Sequence, residues 1–243
     1  YDPELRKKMG AYYTPLPVVR FIIRAVDHLL EKEFTLPNGL GDTSKTANGI
    51  HKVQILDPAT GTGTFISAAI RIIYEKLFYK NGQKGAWPSY VHNDLLPRLH
   101  GFELMMAPYT IAHLKLSIAF KETGFWNFHR RLGIYLTNSL EESVAQDNLF
   151  MGFGFAESIA EESKEASVIK NDTPIMVVIG NPPYSISSSN KGEWIQNLIK
   201  VYKENLHEQK INLDDDYIKF IRFAEHFIEK NKTGIVAMIT NNS

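Results

Sequence analysis

The chain of 243 residues carries 27 Lys and Arg against 27 Asp and Glu, a formal charge of zero, and 44% of its residues are hydrophobic. That composition suits a globular chain with one large core or two small ones and argues against intrinsic disorder. Cysteine is absent, which excludes disulfides, thiolate metal sites and thiol nucleophiles. With no run of about 18 apolar residues and no leader pattern, no membrane partner is expected and the expected location is cytoplasmic.

Tyr1, where a chain normally opens on Met, suggests a segment excised from something longer, and the end at Asn241-Asn242-Ser243 reads as a cut just past a strand. Residues 1–121 hold 15 basic and 10 acidic side chains and residues 122–243 hold 12 and 17, an asymmetry compatible with a polyanionic partner. Val18, Ile22, Val26, Leu29 and Leu30 recur at helical spacing and predict an amphipathic helix over residues 18–34. A Gly-, Asn-, Thr- and Ser-rich loop over 35–51 separates it from the first strand.

Strand-like and helix-like pieces then alternate: 53–57 and 65–79, 99–103 and 106–120, 134–137, 175–180 with 194–206 and 215–230, and finally 235–240. Such alternation predicts an α/β fold with a Rossmann-like, doubly wound, mostly parallel sheet. Residues 1–50 are read as an N-terminal helical segment and 51–243 as the core domain. Residues 80–95 read as a loop, and 141–173, with Glu141, Glu142, Glu161, Glu162 and Glu165, as a solvated loop and helix whose charges have no catalytic role.

The first strand runs into Asp57-Pro58-Ala59-Thr60-Gly61-Thr62-Gly63-Thr64-Phe65. In doubly wound sheets ligands bind beyond the carboxyl ends of the strands, and Gly61 and Gly63 allow positive φ and close backbone approach there. A dinucleotide fingerprint wants glycine where Ile66 stands, and a P-loop wants Gly-Lys-Ser/Thr, which is missing. Asp57 at the strand mouth disfavours a polyphosphate and suits an ammonium, so an amino acid joined to a nucleoside meets both demands, its carboxylate on the helix amides. A bare structural turn is the competing reading. Glu103, closing the second strand, suits a pair of ribose hydroxyls, and Asn138 offers an amide donor and acceptor for an adenine edge.

The apolar run 175–180, expected as a central strand buried on both faces, stops at Asn181-Pro182-Pro183-Tyr184. Two prolines fix φ and withhold their N–H groups, leaving carbonyls in want of partners beside the Asn181 amide and the Tyr184 ring. This is either a polar turn with a packing tyrosine or an acceptor cluster for an amino group on a planar ring. An electrophile and an amine held at neighbouring strand ends gain about 7–11 kcal/mol from proximity and orientation, so little covalent chemistry is asked of the protein.

These two motifs, preceded by Gly10-Ala11-Tyr12-Tyr13-Thr14-Pro15, resemble the signature of the N6-adenine DNA methyltransferases, which use S-adenosylmethionine. The stretches 94–109, 215–224 and 239–243 are similar to the methyltransferase part of the single-polypeptide, Type ISP restriction-modification enzymes. That resemblance implies a sheet of the S-adenosylmethionine-dependent methyltransferase type, double-stranded DNA as partner, and a nuclease, a helicase-like motor and a target-recognition domain on the same polypeptide. It also implies residue roles. Tyr13, Thr14 and Pro15 would flank the cofactor; Asp57, Pro58, Ala59, Thr60, Gly61, Gly63, Thr64 and Phe65 would hold its methionine portion, Glu103 its ribose, and Asn138 with Ser139 its adenine. Asn181 and Pro182 would accept hydrogen bonds from the N6 amino group of a flipped adenine, Pro183 would stiffen the turn, and Tyr184 would stack on the base. No metal is called for.

The eight histidines show no metal-ligand spacing, and His28, His113 and His226 read as core or surface residues. Tyr217, Phe220, Ile221, Ala224, Phe227 and Ile228 read as core packing. Residues 185–192 form a polar loop expected to order around a flipped base. Two rivals remain: methylation of protein glutamine or RNA guanine, for which Asn-Pro-Pro-Tyr is also suited by resemblance, and a non-catalytic module that binds cofactor or DNA and couples its neighbours.

Overall fold

The computed structural model describes residues 14–142, 154–184, 188–204, 206 and 213–240, with only the backbone path for 154–160. Strands β1 (Ile55–Asp57), β2 (Leu99–Glu103), β3 (Ile134–Leu136), β4 (Val177–Gly180) and β5 (Ile235–Met238) form one sheet in the order β3-β2-β1-β4-β5. Every neighbouring pair is parallel. Helix α1 (Leu16–Lys32) precedes β1, and the long crossovers that parallel neighbours require run through helices α2 (Thr64–Ile73), α3 (Trp87–Tyr90), α4 (Met106–Glu122), α5 (Gly154–Asp172), α6 (Glu193–Lys203) and α7 (Asp216–Asn231). Chain order reverses between β1 and β4, so the crevice beyond their carboxyl ends is the switch point at which such sheets bind ligands.

The sheet is apolar on both faces because helices cover both. Ile55 and Val177 share one core with Val19 and Ile23 of α1, Ile70 of α2 and Leu116 of α4. Leu56 and Val178 point the other way, into a core with Ile195 of α6 and Phe223 and Phe227 of α7. These opposed faces explain the adjacent apolar pair Ile55-Leu56 and the uninterrupted hydrophobic run at 175–179.

Three expectations need correction. On α1 the buried stripe is Val19, Ile23, Val26 and Leu30, whereas Val18 and Leu29 are 41% and 40% exposed. Apolar residues occupy more than one face of this helix, and only contact with α2 and β5 selects one. The predicted loop at 80–95 contains α3 flanked by short helical turns. Its anchor is Trp87, stacked against Tyr90 and donating its Nε1–H to Thr123 Oγ1 at 2.8 Å. Finally, α5 is only partly solvated. Ala166, Ile169 and Lys170 are buried, and Glu162 accepts hydrogen bonds from the Tyr109 hydroxyl, the Arg131 guanidinium and the Leu136 amide. That carboxylate closes off an N–H of β3, at the edge of the sheet, a structural task consistent with its non-catalytic reading.

Candidate functional site

β1 delivers Asp57 to the carboxyl edge of the sheet, where it is completely buried. Its Oδ1 accepts from the Ala59 amide at 3.2 Å, while its buried Oδ2 has no hydrogen-bond partner among the described residues. Burial pushes the Asp57 carboxyl up to about 8, against a lowering by the Ala59 amide and with a smaller upward push from the nearby Glu103 carboxylate. An unpartnered buried carboxylate oxygen costs free energy unless something polar is brought to it. An ammonium group would answer that need.

The turn that follows is held by its own backbone. The Thr60 hydroxyl donates to the Asp57 carbonyl at 2.9 Å, and the Thr60 amide to the Phe102 carbonyl of β2 at 2.9 Å. Gly61 and Gly63 take φ of 55° and 75°, the left-handed conformation expected of them. Gly63 opens α2; a Cβ there would lie 3.3 Å from Leu116 of α4, so the glycine also permits close helix approach. Ser139 Oγ donates to the Pro58 carbonyl, tying the segment after β3 to the turn. Phe65 points into the core below α2. Thr64 receives a hydrogen bond from Lys115 Nζ of α4 at 2.7 Å.

Glu103 ends β2 beside this turn. Its Oε2 accepts from the Gly61 amide and its Oε1 from the Met105 amide, both at 2.8 Å. Burial raises its carboxyl above the ordinary range while the amides of Met105, Gly61 and Leu104 pull it down. Each oxygen retains a second lone pair for a hydroxyl donor. Asn138 is fully engaged within the chain: its Nδ2 donates to Asn190 Oδ1 at 2.9 Å and to Glu141 Oε1 at 3.1 Å, and its Oδ1 accepts from the Leu140 amide at 3.0 Å.

β4 delivers Asn181-Pro182-Pro183-Tyr184 to the other side of the switch point. Gly180, at φ 155°, precedes it, and a Cβ there would lie 2.8 Å from Asp57 Oδ1. The backbone at Gly180 therefore lies against the Asp57 side chain, and a larger residue there would crowd that carboxylate. Asn181 Nδ2 donates to Thr14 Oγ1 at 2.9 Å, and the Tyr184 hydroxyl donates to Asn181 Oδ1 at 2.9 Å. Pro182 is buried, and the Tyr184 ring lies 5.7 Å from the Tyr217 ring of α7. Burial raises the Tyr184 phenol above its ordinary range, so it remains a neutral donor.

The structure thus brings together Thr14, Asp57, Gly61, Gly63, Glu103, Ser139 and Asn181 through Tyr184 around one sheet edge. Pro15 stands beside Thr14 at the start of α1, and Tyr13 lies outside the described residues. Of the polar loop expected at 185–192, residues 185–187 lie outside the described residues, while Ser188 and Asn190 pack with Asp216 and Lys219 behind Asn138, partners that sequence reasoning missed. The charged Asp215-Asp216 pair and Lys219 inside an otherwise apolar helical stripe were the available signal. Among the described residues no group of three or more His, Asp or Glu side chains is gathered to hold a metal ion, and no helix is long and apolar enough to cross a membrane.

A family model for N-6 DNA methylase matches residues 1–243. Among solved structures, the DrdV–DNA complex is 33% identical with a TM-score of 0.70, covering 100% of this chain and 21% of that one. The ATP-dependent Type ISP restriction-modification enzyme LlaBIII bound to DNA is 25% identical with a TM-score of 0.72, covering 98% of this chain and 15% of that one. A nuclease-deletion mutant of the Type ISP enzyme LlaGI, in complex with a DNA substrate mimic, is 27% identical with a TM-score of 0.75, covering 95% and 18%. The chain therefore spans between 15% and 21% of the length of these proteins. No curated protein matches the sequence.

Proposed function

From the premise that the chain belongs to the N-6 DNA methylase family, we propose that it transfers a methyl group from S-adenosylmethionine to the N6 amino group of a flipped adenine in double-stranded DNA. It would act as the modification part of a larger enzyme resembling the Type ISP proteins, alongside nuclease, motor and target-recognition domains, in the cytoplasm. The observation that carries this reading is the meeting of two half-sites at the β1/β4 switch point: Asp57, whose buried Oδ2 has no partner among the described residues, packs against Gly180, the residue that leads into the Asn181–Tyr184 acceptor turn.

The residues fit the cofactor. Asp57 Oδ2 suits its ammonium, the open turn around Gly61 and the first amides of α2 suit its carboxylate, and Glu103 suits its ribose hydroxyls. Ser139 and Asn138 border the adenine subsite, with Tyr13, Thr14 and Pro15 flanking the cofactor on the α1 side. When bound, S-adenosylmethionine supplies an electrophilic methyl group on sulfur.

The chain's own part is orientation. An adenine amino group is conjugated with its ring and weakly nucleophilic. Asn181 Oδ1 and the Pro182 carbonyl accept its hydrogens and favour a pyramidal nitrogen with its lone pair free. Thr14 and Tyr184 fix the Asn181 amide from both ends, so its acceptor is set before the base arrives; groups preorganised in this way contribute about 10²–10³ in rate. Tyr184 stacks on the base, returning about 1–3 kcal/mol of the few kcal/mol spent in unstacking it.

Calorimetric titration of this chain with S-adenosylmethionine, beside Asp57→Ala and Asn181→Ala, tests the cofactor half. Wild type and Asn181→Ala are expected to bind and Asp57→Ala to lose binding. Labelled-methyl transfer by the full-length protein to DNA, protein and RNA tests the other half. Label in DNA at N6 of adenine is expected; label only in protein or RNA, or none in a protein that binds cofactor, overturns the reading.

A further inference from the structure

Behind the acceptor turn lies a buried polar cluster that no role assigned above uses. Lys219 of α7 is fully buried, with Ser188 and Asp216 nearly so. Lys219 Nζ donates to Ser188 Oγ at 2.7 Å and to the Asn190 carbonyl at 2.7 Å, and Ser188 Oγ donates to Asp216 Oδ1 at 2.5 Å. A hydroxyl thus bridges a cation and a carboxylate that share one helix turn. Asn190 uses every polar group it has. Its amide N–H donates to Ser188 Oγ at 3.0 Å, its carbonyl accepts from Lys219, its Nδ2 donates to Asp216 Oδ1 at 3.0 Å, and its Oδ1 accepts from Asn138 Nδ2 at 2.9 Å. The same first turn of α7 presents Tyr217 to Tyr184.

We infer that Asn190, clamped by Lys219 and Asp216, is a positioning residue that couples the cofactor's adenine subsite at Asn138 to the target-base subsite at Tyr184. The inference rests on the function proposed above. Asn138 spends both Nδ2 hydrogens inside the chain, one of them on Asn190. An adenine ring nitrogen that accepts from Asn138 Nδ2 must share or displace one of those two bonds, and where it is the bond to Asn190 the change reaches Ser188, Asp216 and the start of α7. Buried charged networks are costly when one member is removed and rigid when complete, which suits a relay between two subsites. Coupling of this kind is reciprocal, so each ligand alters the affinity of the other by one factor.

The test uses the full-length protein, with a duplex that wild type labels. The affinity of S-adenosylhomocysteine is measured by calorimetry with and without saturating duplex, for wild type, Asn190→Ala and Lys219→Met, with melting temperature as a fold check. The ratio of the two affinities in wild type defines the coupling. Asn190→Ala removes two side-chain hydrogen bonds, to Asn138 and to the Asp216 carboxylate; loss of the neutral one to Asn138, the link to the cofactor side, is expected to cut that ratio about threefold to tenfold, with the affinity in the absence of DNA little changed. Should Lys219→Met fail to fold, Asn190→Ala, whose side chain is only half-buried, carries the test alone. An unchanged ratio, or an equal loss with and without DNA, overturns the relay while leaving the methyltransferase reading intact. Wild type that labels no DNA removes both.

Discussion

Replacing Asp57 by Asn isolates one charge in the most buried part of the site. In the ligand-free protein burial holds the Asp57 carboxyl at about 8, whereas its ordinary value is 3.8. A folded-state value above the unfolded one means that the native protein binds more protons, so the carboxyl destabilises the fold progressively as pH rises from about 4 and the penalty levels off near pH 8. At 1.36 kcal/mol per pH unit, the three units from pH 5 to pH 8 correspond to about 4 kcal/mol. Asn leaves an Nδ2 as unpartnered as the Oδ2 it replaces, so the comparison removes charge and little else. Urea unfolding at pH 5 and pH 8 should show the stability of Asp57→Asn overtaking that of wild type by an increment of this order, while S-adenosylmethionine binding is lost. In wild type, binding an ammonium requires the carboxylate, so affinity should rise about tenfold from pH 6 to pH 7. Parallel stability curves for the two proteins, or tight cofactor binding by the Asn variant, would refute the reasoning.

Gly180→Ala places a Cβ 2.8 Å from Asp57 Oδ1 at a φ of 155°; the expected loss is about 1–3 kcal/mol in urea unfolding, with cofactor affinity falling alongside. Tyr184→Phe removes the hydroxyl that orients Asn181 and should slow single-turnover methyl transfer by the full-length protein about threefold to tenfold. Tyr184→Ala also gives up about 1–3 kcal/mol of base stacking and should weaken DNA binding, which a filter assay would register. Glu162→Ala frees Tyr109, Arg131 and the Leu136 amide at once and should cost about 2–3 kcal/mol of stability with no change in cofactor affinity. An unchanged unfolding midpoint would remove Glu162 from its edge-sealing role.

The amino-acid sequence by itself determined the order of strands and helices and the two turns that carry the chemistry. Those features are local: alternation follows from burial on two faces, the Gly-rich turn from the positive φ that glycine adopts without steric cost, and the stop at 181–184 from proline's missing N–H. Hydrophobic patterning even placed the limits of β2 at 99–103, as observed. Tertiary structure alone decided which apolar face of α1 is buried, because Val18 and Val19 are equivalent until α2 and β5 are in place. It alone turned 80–95 into helical turns, since Trp87 pays its ordering cost through partners such as Thr123, 36 residues away. The site's internal wiring is of the same kind. Thr14 meets Asn181 across 167 residues, Glu103 meets Gly61 across 42, and Asn138 meets Asn190 across 52. Sequence can name the groups at each strand end, but hydrogen bonds act over about 3 Å, and only the folding of a parallel sheet brings those ends within that distance.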